Sequence, residues 1–518
     1  MAHSPLKYLL QNAFADAFKA HRQNSGEQIF NESRRNFIKN AGLLAASGVL
    51  LPSFSKAFAD DFNANKTIAI IGAGIAGLNA AYQLKKQGIN ATVYEAANRT
   101  GGRMFTIKDK FGPGITTDLG GEFVDTTHQD IIDLANDFNV DFYDLRKDEI
   151  KDGVFFFEGK HYSNSDLKNA ILPFVAQIEK DVKSLPETIN YTTGHIFKHL
   201  DQQSVSTYLT NIGITGWLSN FLNLVLTREY GMEASEQSAI NFLIMFTQPG
   251  PNGYELFGSE HEVFKIKGGS QHLTNKLHNH LRNQVRLNFT LTNISQTNSK
   301  TYNLVFKNKT VTHNITADYV ILAIPFSILR SIPLGVKMPP EKLNCINNLG
   351  YGNSSKFIMG FKGKPWRTAN KDGQTYSNLS FGCTWDSSRM QSESKGSLTI
   401  FGGGDMVSQL CKMPVSQLGN QYLNDLDKIY PNTKSAYSQK NVKFCWPQSH
   451  HHKAAYSSFK TGQWSTLAGW EIAPVGNLFF AGEHCSLDFQ GYMNGAAQTG
   501  RLAAQNITQI INNQSLKK

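Results

Sequence analysis

Beyond its first sixty residues the 518-residue chain has no apolar run of about twenty residues, so no stable membrane insertion is expected there. Its five cysteines, at positions 345, 383, 411, 445 and 485, form no CxxC and no short ligand spacing, which argues against a metal site. An oxidising compartment would permit one or two disulfides among them, but the pairing is not legible. No basic run is interleaved with stacking aromatics, so the net charge of +10 carries no nucleic-acid footprint. Internal repeats and low-complexity segments are absent too. The tract His450-His451-His452 lacks partners at ligand spacing and reads as a surface turn.

What is present begins with a leader. Ser33-Arg34-Arg35-Asn36-Phe37-Ile38-Lys39 fits the twin-arginine export pattern. An uncharged, moderately apolar stretch follows from Ala41 to Phe54, and Ala57-Phe58-Ala59 supplies an A-x-A cleavage site. Residues 1–59 are therefore read as a signal peptide, and the protein is expected to engage the twin-arginine machinery and end up periplasmic or secreted. The leader holds seven Lys and Arg against three acidic residues, so four of the ten net positive charges belong to it and about six to the remainder.

Thr67 to Ile71 is a short β-branched apolar run, the pattern of a buried parallel strand. Gly72-x-Gly74-x-x-Gly77 follows at once, and the periodicity turns helical from Ile75 to Lys86. A second strand, from Ala91 to Tyr94, ends on Glu95. In such a unit Gly72 allows the tight turn, Gly74 admits a diphosphate close to the backbone, and Gly77 lets helix and strand pack. The helix N-terminus presents unpaired N–H groups to the phosphates. Glu95, 18 residues after Gly77, is placed to accept from ribose hydroxyls. Arg99-x-Gly101-Gly102-Arg103 adds cations and free N–H groups where a second phosphate contact would fall, and this extension points to FAD rather than NAD.

Four hundred residues later comes NLFFAGEHCSLDFQGYMNGAAQTGRLAAQNI, an apolar strand ending at Gly482-Glu483 and a turn that opens a helix from Ala497 to Ile507. The two segments together resemble the flavin-containing amine oxidase family of monoamine, polyamine and L-amino-acid oxidases. Further similarity lies in TTDLGGEFVD (116–125), KGGSQHL (267–273), ADYVILAIP (317–325) and LGYGNSSKFIMGFKGKPW (349–366). The resemblance implies an α/β protein. A Rossmann-like FAD-binding domain of glutathione-reductase type (65–125, 255–335 and 475–512) would be interleaved with a helical domain (126–254) and a mixed-sheet substrate domain (336–474).

It also implies site roles. Gly120 and Gly121 would form a loop beside the flavin, with Glu483 near its ribityl–phosphate part. Met493 would lie in the turn whose helix N-terminus faces the N1–C2 edge of the ring. Lys356 would hold a water at flavin N5, and Tyr492 and Tyr456 would form the two walls of an aromatic cage for the amine, with Trp464 nearby. Ala455 stands where monoamine oxidases attach FAD through cysteine, so non-covalent FAD is expected.

Substrate class is less legible. Many L-amino-acid oxidases carry an arginine just after the Gly-Gly loop to clamp the carboxylate, a task suited to its bidentate fork. Here Gly120-Gly121-Glu122-Phe123-Val124-Asp125 has none. Glu122 or Asp125 could attract a second ammonium, or Asp125 could cap the following helix. The expected reaction is oxidation of an amine by molecular oxygen with release of hydrogen peroxide. An L-amino-acid oxidase is the nearest alternative. A desaturase or porphyrinogen-type enzyme and a non-catalytic flavin-binding protein stand further off.

Overall fold

A computed structural model describes residue 17 and residues 66–246, 263–298, 300–391 and 394–515. The leader read at 1–59 lies outside these residues, apart from Ala17.

The strand β1 (Ile68–Ile71) is fully buried, as its IAII sequence demands. It feeds helix α1 (Ile75–Lys86), whose last turn carries Lys85 and Lys86 where the helix dipole favours cations. β2 (Thr92–Glu95) lies parallel beside β1. The chain later returns to the same sheet with β3 (Val285–Leu287), β4 (Tyr319–Leu322) and β5 (Leu478–Phe480). All four pairings are parallel, in the order β3-β2-β1-β4-β5. Helix α2 (Met493–Ser515) covers the sheet beside α1, and the two share one apolar core. It starts four residues earlier and runs eight residues longer than the expected span from Ala497 to Ile507.

Between β3 and β4 an antiparallel meander (Thr290–Gln296, Tyr302–Asn308, Val311–Ala317) forms most of a separate four-stranded sheet. A seven-stranded mixed sheet is built mainly from 354–445. The stretch 126–254, expected to be helical, gives this sheet two further strands, Val154–Phe157 and Lys160–Tyr162. The remainder of that stretch is mostly helical, and Gly216–Tyr230 is its longest helix.

The strand Ser354–Phe361 runs through the seven-stranded sheet and is buried at all eight positions. Its period of two sends Phe357, Met359 and Phe361 into one apolar cluster and Ile358 into another. Lys356 shares the face of Ile358, and both faces are covered, which is why this lysine is buried. A disulfide joins Cys411 to Cys445, while Cys345, Cys383 and Cys485 are buried and outside any disulfide. Among the described residues no helix is long and apolar enough to cross a membrane, and no group of His, Cys, Asp or Glu could hold a metal ion.

Candidate active site

A cleft opens at the carboxyl ends of the parallel strands, where ligands of such sheets bind. Gly72, Glu95, Ala323 and Gly482 follow or end four of those strands and line it. Gly72 turns the chain at φ +103°, and a Cβ there would lie 2.5 Å from the Ala323 carbonyl oxygen. A Cβ on Gly77 would meet the Gly72 oxygen at 1.9 Å, so α1 starts hard against the turn. At Gly74, by contrast, a Cβ would meet nothing within 4 Å. The backbone is bare on the side that faces the cleft, as a diphosphate needs, and the residues fit a bound dinucleotide.

Glu95 accepts from the backbone N–H of Ala73 at 2.7 Å and of Ala97 at 2.8 Å. Burial pushes its carboxyl up, partly offset by those N–H groups. The two arginines expected to supply phosphate contacts stand differently. Arg99 turns into its own loop, donating to the carbonyls of Thr100 and Gly102 and lying 4.0 Å over the Phe105 ring. Arg103 does line the cleft, but its Nη1 donates to Glu483 Oε1 at 2.8 Å and to the Ala455 carbonyl at 2.7 Å.

Glu483 also accepts from Ser457 N–H and Oγ–H and from Gly491 N–H. Burial would raise its carboxyl, yet Arg103 first, then His484 and Ser457, hold it down to about 2. It is thus a permanent anion joining the segments 99–103, 455–457 and 482–491. Tyr492 and Met493, at the start of α2, line the same cleft.

Beneath Met493 lies the Gly-Gly loop. A Cβ on Gly121 would be 2.7 Å from Met493 Sδ, and one on Gly120 would be 1.7 Å from the Arg103 carbonyl oxygen. Lys356 Nζ reaches this loop, donating to the Asp118 carbonyl at 2.8 Å, the Gly120 carbonyl at 2.9 Å and Glu122 Oε2 at 2.8 Å. An ammonium has three N–H bonds, and all three are engaged within the protein. The expected water-holding role would need one of them, and in this arrangement Lys356 has none left for a water.

Glu122 does not stand free for a substrate ammonium, as was expected of it. Its other oxygen accepts from Lys265 Nζ at 2.7 Å, and Trp385 Nε1 donates to Oε2 at 3.1 Å. All three members of the Lys265–Glu122–Lys356 triad are almost completely buried. Burial would raise the Glu122 carboxyl, but the two ammoniums outweigh it and the carboxyl is held low.

Asp125 does not cap the following helix. Its carbonyl accepts from His128 N–H, and the helix Gln129–Asp137 starts after His128 with no side-chain cap. Its carboxylate instead lies 3.5 Å from His128 Nε2.

Of the two cage tyrosines, Tyr492 packs edge-on against His128 at 5.0 Å. Tyr456 is fully buried beside Trp446 and donates its hydroxyl to the Arg228 carbonyl at 3.1 Å. Trp464 packs tilted against Phe459 with ring centroids 4.1 Å apart and donates to Asn241, and it does not line the cleft.

Three features were not legible in the sequence. Lys265 lies in FKIK, where nothing separates it from exposed Lys267. Arg228, next to Tyr456, is buried, and its Nη1 donates to the Gly403 carbonyl at 2.6 Å, while among the described residues its Nε has no partner. The third is the histidine tract, which lines the cleft.

Residues 75–508 match the family described as flavin containing amine oxidoreductase. The chain is 25% identical to amine oxidase [flavin-containing] A of Sus scrofa, over 87% of this chain and 86% of that protein. It is 22% identical to the L-amino acid oxidase bordonein-L of Crotalus durissus terrificus, over 96% and 95% of the two. Among solved structures, putrescine oxidase bound to putrescine superposes with a TM-score of 0.74 at 19% identity, covering 86% of this chain and 99% of that one. Cyclohexylamine oxidase from Brevibacterium oxydans IH-35A gives 0.74 at 18%, with the same coverage. The chain belongs to the flavin-containing amine oxidoreductase family and is an oxidoreductase.

Proposed function

We propose that the enzyme is an exported, FAD-dependent amine oxidase acting on a primary or secondary amine, with the cofactor held non-covalently. The observation that carries the substrate class is the Gly-Gly loop. Where a carboxylate-clamping arginine would follow, Glu122 stands instead, fixed between two lysines. The chemistry supplied by a bound FAD is acceptance of hydride from the carbon beside the amine, giving an imine that hydrolyses, with oxygen then taking the electrons to form hydrogen peroxide. Tyr492 and Tyr456 would wall the amine off from water and favour it through their ring faces. The N-terminus of α2 would stabilise negative charge developing at the ring edge. Ala455 precedes Tyr456, and none of the cysteines lines the cleft, which supports non-covalent binding.

Arg228 favours a second reading, an L-amino-acid oxidase. Among the described residues the Nε of its buried guanidinium has no partner, and it lies next to Tyr456, so it could receive a substrate carboxylate. Peroxide release from the purified protein against monoamines, diamines, polyamines and L-amino acids separates the two. Turnover of amines alone is the expected result. Turnover of amino acids that falls more than tenfold on Arg228→Met would overturn the amine reading. A yellow protein silent on the whole panel would remove oxygen as the acceptor or amines as the substrate.

Export rests on the Ser33–Lys39 motif, and the Cys411–Cys445 disulfide is what an oxidising compartment allows. Cell fractionation checks it. The protein should leave the cytoplasm, and the double change Arg34→Lys, Arg35→Lys should retain it there. An unchanged distribution would refute the twin-arginine route.

A further inference from the structure

Of the phosphate cations expected in the glycine-rich loop, Arg99 is turned away and Arg103 is committed through its Nη1. Arg99 is folded onto its own carbonyls, and Arg103 is paired with Glu483. The cleft also holds two carboxylates, Glu95 and Glu483, the latter firmly ionised. A diphosphate brings further negative charge into this lining, so donors added to the N–H groups at the start of α1 would steady it.

The tract His450-His451-His452 supplies them. All three residues line the cleft together with Gly101 and Gly102. His452 is the most constrained. Its carbonyl accepts from Ser327 Oγ at 2.6 Å, its ring packs edge-on against Trp446 at 5.1 Å, and its Nδ1 pairs with Ser449 Oγ at 2.8 Å. Its Nε2 approaches within 3.9 Å of where a Gly102 Cβ would stand. Burial first, and then Arg103 and Arg99, keep its imidazole from taking a second proton. If Ser449 donates to Nδ1, the single proton of the neutral ring sits on Nε2 and faces the loop that meets the phosphates. His450 and His451 are exposed at the mouth, with His451 close enough to Glu95 to act on its carboxyl.

We propose that the His450–His452 loop forms the second wall of the cofactor site, with His452 Nε2–H donating to the diphosphate of the bound dinucleotide and His451 covering its ribose end. This rests on the reading of the cofactor as FAD. Ser449 and Ser327 are then positioning residues, one fixing the tautomer and the other anchoring the backbone.

The test is the rate of flavin release from the full-length holoenzyme, followed by the rise in free-flavin fluorescence, with the released flavin identified chromatographically. A hydrogen bond to a charged group is typically worth roughly ten- to a hundredfold in an equilibrium constant. His452→Ala should therefore release FAD at least tenfold faster. His452→Gln, which keeps a neutral donor, should recover most of the loss, and His451→Ala should show a smaller acceleration. Lys453→Ala, exposed and outside the cleft lining, should release FAD at the native rate. Release from His452→Ala at the native rate, or equal rates for the Ala and Gln variants, overturns the assignment. Recovery of FMN or another flavin would overturn the FAD reading itself, which separates the two failures.

Discussion

Replacing Glu122 with alanine is expected to cost the enzyme about 3–5 kcal/mol of stability, because it strips the carboxylate from between two buried ammoniums. Lys265 would keep only the Ser387 carbonyl, and Lys356 the carbonyls of Asp118 and Gly120. The nearest substitute anion is the Asp118 side chain, whose carboxyl is pushed up by burial first and by Glu122 second. It is already engaged by the Ser270 N–H and hydroxyl, so it compensates only in part. Denaturant titration checks the figure, and a loss under about 1 kcal/mol would mean that water reaches the triad.

The pH dependence follows from the same geometry. Glu122 is held below its ordinary value of 4.5. Its stabilising effect is therefore fully present above that value and is lost as pH falls through the folded-state value. Glu122→Gln should flatten the acid limb of the stability curve, and an acid limb as steep as that of the native protein would contradict the pairing.

How much of this was legible in the sequence differs by element. The GxGxxG unit and Glu95 could be read because each glycine answers a local steric demand within a few residues of its partner, as the 1.9 Å approach at Gly77 shows. The ends of α2 were misjudged because Met493 and Asn494 look like turn residues. In the fold Asn494 accepts from the N–H of Ile131, a contact 363 residues away. The engagement of Arg103 by Glu483 was hidden for the same reason, spanning 380 residues. Arg103 looked free because its partners lie far along the chain, whereas Arg99 is held by carbonyls of its own loop. The hairpin 154–162 escaped because its sheet partner, Thr375–Ser377, lies more than two hundred residues on. What local sequence could not supply was the pairing of charges across segments, and most of the candidate site consists of such pairings.

That pairing sets the expectation for Lys356→Met. With its three N–H bonds engaged, Lys356 bears on the oxygen reaction through charge, and the triad carries a net +1 in a site closed to water. Electrons passing to oxygen create negative charge, which a fixed cation in a low-dielectric site stabilises. Losing it should slow the oxidative half-reaction roughly 10–100-fold. Reduction of the flavin by substrate should change far less. Stopped-flow recovery of the oxidised-flavin absorbance after mixing with oxygen measures the first rate, and anaerobic mixing with substrate measures the second. The companion variant separates charge from disruption. Glu122→Gln removes a negative charge and takes the triad to +2, so a charge mechanism requires the oxygen step to hold or quicken there, in those molecules that remain folded. If the lysine matters only by bracing the Gly-Gly loop, both variants loosen the same hydrogen bonds and both must slow. Opposite signs in the two variants would establish that the buried triad acts on the oxygen step by its net charge.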